Sequence, residues 1–255
     1  MNAATGARRS GMPRTGRPRR GDQAAASRAE LAGQLADSID RLGLELDASA
    51  QATLLDYLEL IVRWNRSFNL TAIRDPRTMV ASHLADSLSI VPLLDAVPDG
   101  ALLVDVGSGA GLPGIPLAIA RPGIRIDLVE PVGKKAAFLR QCRAELGLRG
   151  LGVREARVEQ LRLDAAPAAI TSRAFASLAD FSASVAGIAG PDTRLLAMKG
   201  ARPDDELDEL AARHLPWRVA AVETLAVPGL DAQRCVVVLE ALPIPSAPNP
   251  NPTEP

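Results

Sequence analysis

A chain of 255 residues with 47% hydrophobic residues can bury a sizeable core, and suits one α/β domain with an added subdomain. Its net charge is −1, no apolar run approaches a membrane span, and no signal-peptide-like apolar segment opens it, so a cytoplasmic chain without membrane association is expected. Cys142 and Cys235 lie far apart without metal spacing, so two buried reduced thiols are expected and nothing asks for an oxidising compartment.

Residues 1–22 hold six arginines, one acid and several Gly and Pro, so a disordered basic arm is expected over 1–26. A helical subdomain is expected over 27–98. In its first helix Leu31, Leu35, Ile39 and Leu42 recur at helical spacing. Asp47 or Ser49 caps a second helix carrying Leu54, Leu55, Leu58, Ile61, Val62 and Trp64. The stretch from Arg63 to Thr71 is polar and aromatic and reads as having left the helical period. Asp75-Pro76 opens a third helix with Met79, Leu84, Leu88 and Val91 on one side and His83 and Asp86 nearby.

The stretch Leu102-Leu103-Val104-Asp105-Val106-Gly107-Ser108-Gly109-Ala110-Gly111-Leu112-Pro113-Gly114 organises the rest, a domain expected over 99–242. An apolar run ends at clustered glycines and an apolar helical pattern follows, which reads as strand, tight turn and helix. Glycines let a ligand approach the backbone, Pro113 suits a first helical turn, and free N–H groups at a helix start favour electron-rich atoms. Two registers compete. Gly109-x-Gly111-x-x-Gly114 with Glu130 fits a dinucleotide fingerprint and a nicotinamide dehydrogenase. Asp105-x-Gly107-x-Gly109-x-Gly111 fits the S-adenosylmethionine loop of class I methyltransferases. The second gives every residue a role, with Asp105 facing the cationic or amino-acid part of the ligand and Glu130 accepting the ribose hydroxyls. It is the preferred register.

Further strands are expected over 125–130, 151–156, 168–172, 194–198, 218–226 and 234–240, with helices over 134–146, from about 175 to 188, and over 204–213. Such alternation implies a mostly parallel sheet covered on both faces, with an antiparallel hairpin at one edge: a class I, Rossmann-like α/β architecture. Ligands in such sheets collect at the carboxyl ends of strands, which puts Asp105, Gly107, Glu130, Glu159, Arg173 and Lys199 on one rim. The tail 243–255 has six prolines in thirteen residues and is expected to be disordered.

Hydrolytic chemistry finds no support. The chain has no Gly-x-Ser-x-Gly elbow and no P-loop, and only two histidines, His83 and His214, so no metal site is expected. The turn Thr171-Ser172-Arg173-Ala174-Phe175 lacks the Asn/Asp-Pro-Pro-aromatic pattern common among methyltransferases of exocyclic amines.

Several motifs together resemble a family. Arg63-Trp64-Asn65, Phe68-Asn69-Leu70-Thr71, His83 with Asp86-Ser87, Leu112-Pro113-Gly114, Gly133-Lys134-Lys135, Ser172-Arg173-Ala174-Phe175-Ala176 and Met198-Lys199-Gly200 are similar to the bacterial ribosomal RNA small-subunit methyltransferase G family, from about residue 48 to 240. The resemblance implies methyl transfer from S-adenosylmethionine to N7 of one guanine in 16S rRNA near the decoding region, on rRNA or a small-subunit precursor, by a protein expected to be a monomer. It implies cofactor roles for Gly107, Leu112, Val158, Glu159 and Arg173; Asp105, Gly109 and Glu130 rest on the loop and fold reading. Arg173, Asn65, His83 and Lys199 are candidates for guanine or RNA contact. N7 bears no proton, so the missing acid–base pair agrees with this chemistry. Another RNA or a small molecule as acceptor stays open, as do a dehydrogenase and a non-enzymatic RNA-binding module.

Overall fold

A computed structural model describes residues 26–173 and 175–242. The basic arm up to residue 25, the proline-rich tail from 243 and Ala174 of the Arg173 turn lie outside the described residues. Helix α1 (Arg28–Arg41) starts at Ser27, whose hydroxyl accepts from the Glu30 N–H. Asp47 caps α2 (Ala48–Phe68) by accepting from the Ala50 N–H at 2.7 Å.

Helix α2 runs through the segment that reads from sequence as non-helical. Buried Leu54, Leu58 and Ile61 are followed on the same face by Asn65, a polar side chain at an apolar beat. Trp64 packs against Phe138 and, one turn on, Phe68, with ring centroids 5.4 and 5.1 Å apart. Asn69, at a φ of 48°, ends the helix in the left-handed region.

Asp75 caps α3 (Pro76–Met79), which continues through a π-helical turn (Val80–Ala85) into α4 (Asp86–Leu88). The wider turn explains a five-residue step between buried Met79 and Leu84, and it contains His83.

The remaining elements are β1 (Leu102–Val106), α5 (Gly114–Ala120), β2 (Arg125–Val129), α6 (Gly133–Glu145), β3 (Leu151–Arg154), β4 (Ala169–Arg173), α7 (Leu178–Val185), β5 (Arg194–Lys199), α8 (Asp204–Ala212), β6 (Trp217–Thr224) and β7 (Cys235–Ala241). The sheet has the order β3-β2-β1-β4-β5-β7-β6. Its first five strands in that order are parallel, and β7 runs antiparallel between β5 and β6. The expected hairpin is therefore present, with its second strand inserted inside the edge.

Alternate strand residues divide two apolar layers. Leu103, Ile126, Leu128, Met198 and Val238 face a core that also takes Leu31, Leu58, Leu88, Leu117 and Leu139, so the N-terminal helices share one core with this face of the sheet. Val104, Val106, Ile170, Leu195 and Val237 face the other, covered by Leu178, Phe181, Val185 and Leu210. Cys142 and Cys235 are buried free thiols, and burial pushes the Cys142 thiol well up. Among the described residues no helix is long and apolar enough to cross a membrane.

Candidate functional site

The strand order reverses at β1, between β2 and β4, and the glycine turn leaves from the carboxyl end of β1 at that point. The turn is fastened from below and behind. Gly107 and Ser108 N–H groups donate to the Val129 carbonyl, and the Ser108 hydroxyl donates to the Asp105 carbonyl. Glu130, only 3% exposed, accepts from Gly109 N–H through one oxygen and from Val132 N–H through the other, both at 2.9 Å. Tyr57, the single tyrosine of the chain and fully buried on α2, donates its hydroxyl to the Ala110 carbonyl at 2.6 Å. The N-terminal helices thus hold the turn directly.

The glycines divide into two kinds. Gly107 and Gly109 adopt φ of 72° and 57°, and a Cβ there meets no side chain within 4 Å. They form an open cradle that a side chain would fill. A Cβ at Gly114 would lie 2.2 Å from Leu128 Cδ2 and 2.7 Å from Asp105 Oδ2, so that glycine is needed for close packing. Leu112 is buried and its N–H donates to the Ser108 carbonyl, so this turn residue offers a ligand no free N–H.

Asp105 decides between the two registers. It is fully buried, and Oδ2 accepts from the Gly114 N–H at 3.0 Å, the first N–H of α5. The electron-rich atom expected at that helix start is therefore supplied by the protein itself, which corrects the expectation of free N–H groups there. A pyrophosphate would have to displace this carboxylate and would be repelled by it, so the dinucleotide register fails. Oδ1 is buried without a partner and carries unused acceptor capacity at the base of the turn. Burial raises the Asp105 carboxyl to about 7, against the lowering hydrogen bond from Gly114. An acceptor of this kind matches a ligand ammonium.

Across the rim, Arg173 leaves the end of β4 and Nη1 donates to the Ser82 carbonyl and to Asp86 Oδ2, both at 3.0 Å. Arg234, just before β7, donates from Nε to Asp86 Oδ1 at 2.9 Å. One buried carboxylate, 3% exposed, thus holds two guanidiniums that are about a quarter exposed, and the cluster keeps one excess positive charge. Val158 and Glu159 form the short turn after β3, Val158 buried and Glu159 exposed.

Three of the candidate contact residues are engaged by the protein's own groups. Asn65 is buried and its amide donates to the Thr71 and Ile73 carbonyls and accepts from the Thr71 N–H. It shapes the bend after α2, and both amide hydrogens are spent there. His83 is also buried, with Nε2 3.0 Å from the Thr71 hydroxyl. Burial lowers it to about 4, so the ring is neutral near pH 7 and supplies no charge to RNA. Lys199 pairs with Glu206 at 2.7 Å and donates to the Phe175 carbonyl, with its side chain 10% exposed. Glu206 in turn accepts from the Leu178 N–H at the start of α7. Lys199 therefore ties the segment after Arg173 to α8 and is not a free cation on the rim. Tyr57, Asp86 as a bridge and Arg234 went unassigned in the sequence reading. Only Tyr57 left a signal there, as a lone hydroxyl on an apolar helix face.

Comparisons with known proteins fit this geometry. The family described as GidB, rRNA small subunit methyltransferase G, matches residues 50–237. The chain belongs to this family. It is 48% identical over 208 residues to the Ribosomal RNA small subunit methyltransferase G of Azoarcus sp. (strain BH72), covering 82% of this chain and 95% of that one. With that of Burkholderia pseudomallei (strain 1106a) it shares 47% identity over 219 residues, 84% and 93% of the two chains. Among solved structures, magnesium protoporphyrin IX methyltransferase from Synechocystis PCC 6803 with bound SAM is similar at a TM-score of 0.53 and 16% identity, covering 73% of this chain and 98% of that one. At that identity the likeness is one of fold: the class I methyltransferase architecture. Among the described residues no group of three or more His, Cys, Asp or Glu is placed to hold a metal.

Proposed function

We propose that this chain transfers a methyl group from S-adenosylmethionine to N7 of one guanine in 16S rRNA. The observation that carries the reading is the join of an open two-glycine cradle to a buried carboxylate with one unpartnered oxygen, in a member of this rRNA methyltransferase family. Asp105 Oδ1 accepts from the methionine ammonium, and Gly107 and Gly109 let the cofactor lie against the turn. Glu130 already fastens the turn, yet each carboxylate oxygen has a second lone pair, which suits it to the ribose hydroxyls. Val158 and Glu159 flank the adenine. Arg173 uses only Nη1 toward Asp86 and Ser82, which leaves its other nitrogens for the methionine carboxylate or the RNA.

The bound sulfonium supplies an electrophilic methyl: the N7–C bond forms as the C–S bond breaks and its electron pair stays on sulfur. Guanine N7 attacks with a lone pair and loses no proton, so no residue of the chain acts as a base. The chain's contribution is to hold N7 in line with the methyl, and orientation of this kind is worth on the order of 7–11 kcal/mol. Arg173 and Arg234, with one excess charge between them, favour phosphate oxygens close to the target base.

Mass-spectrometric mapping of 7-methylguanosine in 16S rRNA, from cells with and without this gene, tests the reading. One modified guanine near the decoding region should vanish without the gene and return with the wild-type protein but not with Gly107→Asp. An unchanged map would overturn the assignment.

A further inference from the structure

At the far end of the sheet from the glycine turn, the amino ends of the parallel strands floor a groove of about 980 Å3. Arg125 opens β2 and Arg194 opens β5; Arg143 lies at the end of α6 and Arg149 in the turn before β3. Arg154 and Arg162 complete the cationic lining, against three acids, Asp127, Asp164 and Asp192. Arg154 pairs with Asp127 at 2.9 Å. Among the described residues no carboxylate lies within ion-pair distance of Arg125, Arg143 or Arg149, and all three are exposed. The Arg194 Nε is buried without a partner. Composition alone does not produce this cluster, because over the described residues acids outnumber Lys and Arg by five while in the groove arginines outnumber acids by three.

We propose that this groove is a second RNA-binding surface that holds backbone phosphates of the rRNA whose guanine is methylated at the front rim, a proposal that rests on the function proposed for that rim. Three features select the ligand. The groove crosses five strands, about 19 Å at the usual strand spacing, which is too long for a lone phosphate and suits a chain of them. Its floor includes small residues such as Gly150, Ala166 and Ala168, so a backbone can come close to the guanidiniums. No aromatic residue lines it, so bases have nothing to stack on and the contact reads charge rather than sequence. The unpaired arginines lie under β2 and β3, and the free acids Asp164 and Asp192 precede β4 and β5, so the RNA track runs along the β2–β3 side. Front rim and rear groove are separated by about the 17 Å length of a five-residue strand, and a folded RNA reaches both.

The test compares wild type with the Arg125→Gln/Arg143→Gln/Arg149→Gln variant. Binding to small ribosomal subunits is measured from 50 to 300 mM salt, and binding of S-adenosylhomocysteine is measured alongside. The expected result is RNA binding weakened at least tenfold at low salt, with the log–log salt slope shallower by about two, at roughly 0.7 per lost single-strand phosphate contact. Cofactor-product affinity should be unchanged. Equal RNA affinity and slope in the two proteins would overturn the groove while leaving the methyltransferase reading intact. A wild type that neither binds nor methylates the subunit would instead overturn the reading itself. Saturation of the groove by inorganic phosphate without competition against RNA would also overturn the proposal. Should the triple variant lose cofactor binding through misfolding, Arg149→Gln alone, an exposed turn residue, must still lower the slope by about 0.7.

Discussion

The arginines around β4 and β7 at the front of the sheet and those under β2 and β3 at its rear are treated in opposite ways. At the carboxyl end the cations that end β4 and β5 and precede β7 are held: Arg173 and Arg234 by Asp86, and Lys199 by Glu206. At the amino end Arg125, Arg143 and Arg149 stand exposed with no carboxylate partner among the described residues. The difference follows from what each end must do. A site that places a methyl group needs side chains fixed to within a fraction of an ångström, and a buried carboxylate shared by two guanidiniums fixes them. A surface that grips a phosphate chain gains from mobile, solvated arginines that give up only water and counterions. Substitutions at the front should therefore cost cofactor affinity and stability together, and substitutions at the back should cost neither.

The sharpest way to break that contrast is at the cradle. Gly107→Asp forces a side chain into the left-handed region at φ 72° and sends a carboxylate into the space proposed for the cofactor. Calorimetry should find S-adenosylhomocysteine affinity lowered more than 100-fold; tight binding by this variant would remove the cradle. Arg173→Ala comes next. Loss of a charge-assisted contact is worth about 1.5–3 kcal/mol, so methyl transfer should fall about 10- to 100-fold. The same variant strips Asp86 of one partner, and a lowered unfolding temperature should accompany the lost rate. Tyr57→Phe leaves the buried Ala110 carbonyl without its donor, at a cost of about 1–3 kcal/mol, and should loosen the turn enough to weaken cofactor binding as well.

Asp105 gives a pH signature of the front end. Its carboxyl is raised to about 7 in the fold from an ordinary value near 4, so the native state holds a proton that the unfolded chain releases. The stability due to this group is present below the ordinary value and is lost as pH rises toward 7. In urea unfolding, wild type should therefore lose stability relative to Asp105→Asn as pH rises, standing highest against the variant near pH 4. Affinity for an ammonium-bearing ligand should run the other way, rising with pH up to about 7 in wild type and staying flat in the variant. Wild-type cofactor affinity that does not change between pH 5 and 8 would separate Asp105 from the ammonium. The smallest effect belongs to the back: Arg125→Gln should shift stability by no more than about 0.5 kcal/mol and leave S-adenosylhomocysteine affinity as it was.

Much of the front end is legible in the chain. The apolar run before Gly107, the Asp47 and Asp75 caps and the strand alternation depend on near neighbours and on periodicity, and their elements fall within a few residues of expectation. The end of α2 was not legible, because Asn65 breaks the apolar beat while the helix continues to serve a loop six residues on. The internal partners of Asn65, His83 and Lys199 were not legible either. A polar residue in a shared motif reads the same whether it touches a ligand or satisfies the protein's own backbone.

Sequence by itself determined the strand–turn–helix at Asp105 to Gly114, the mostly parallel sheet and the family, because these rest on local chemistry and order along the chain. Only the tertiary structure decided which partners the charges take. Asp86 meets Arg173 and Arg234 across 87 and 148 residues, Tyr57 reaches Ala110 across 53, and the arginines of the rear groove converge from β2, α6, β3, β5 and two turns. Such pairings are set by how the layers stack, since a charge finds its partner through space and leaves no period in the sequence to read.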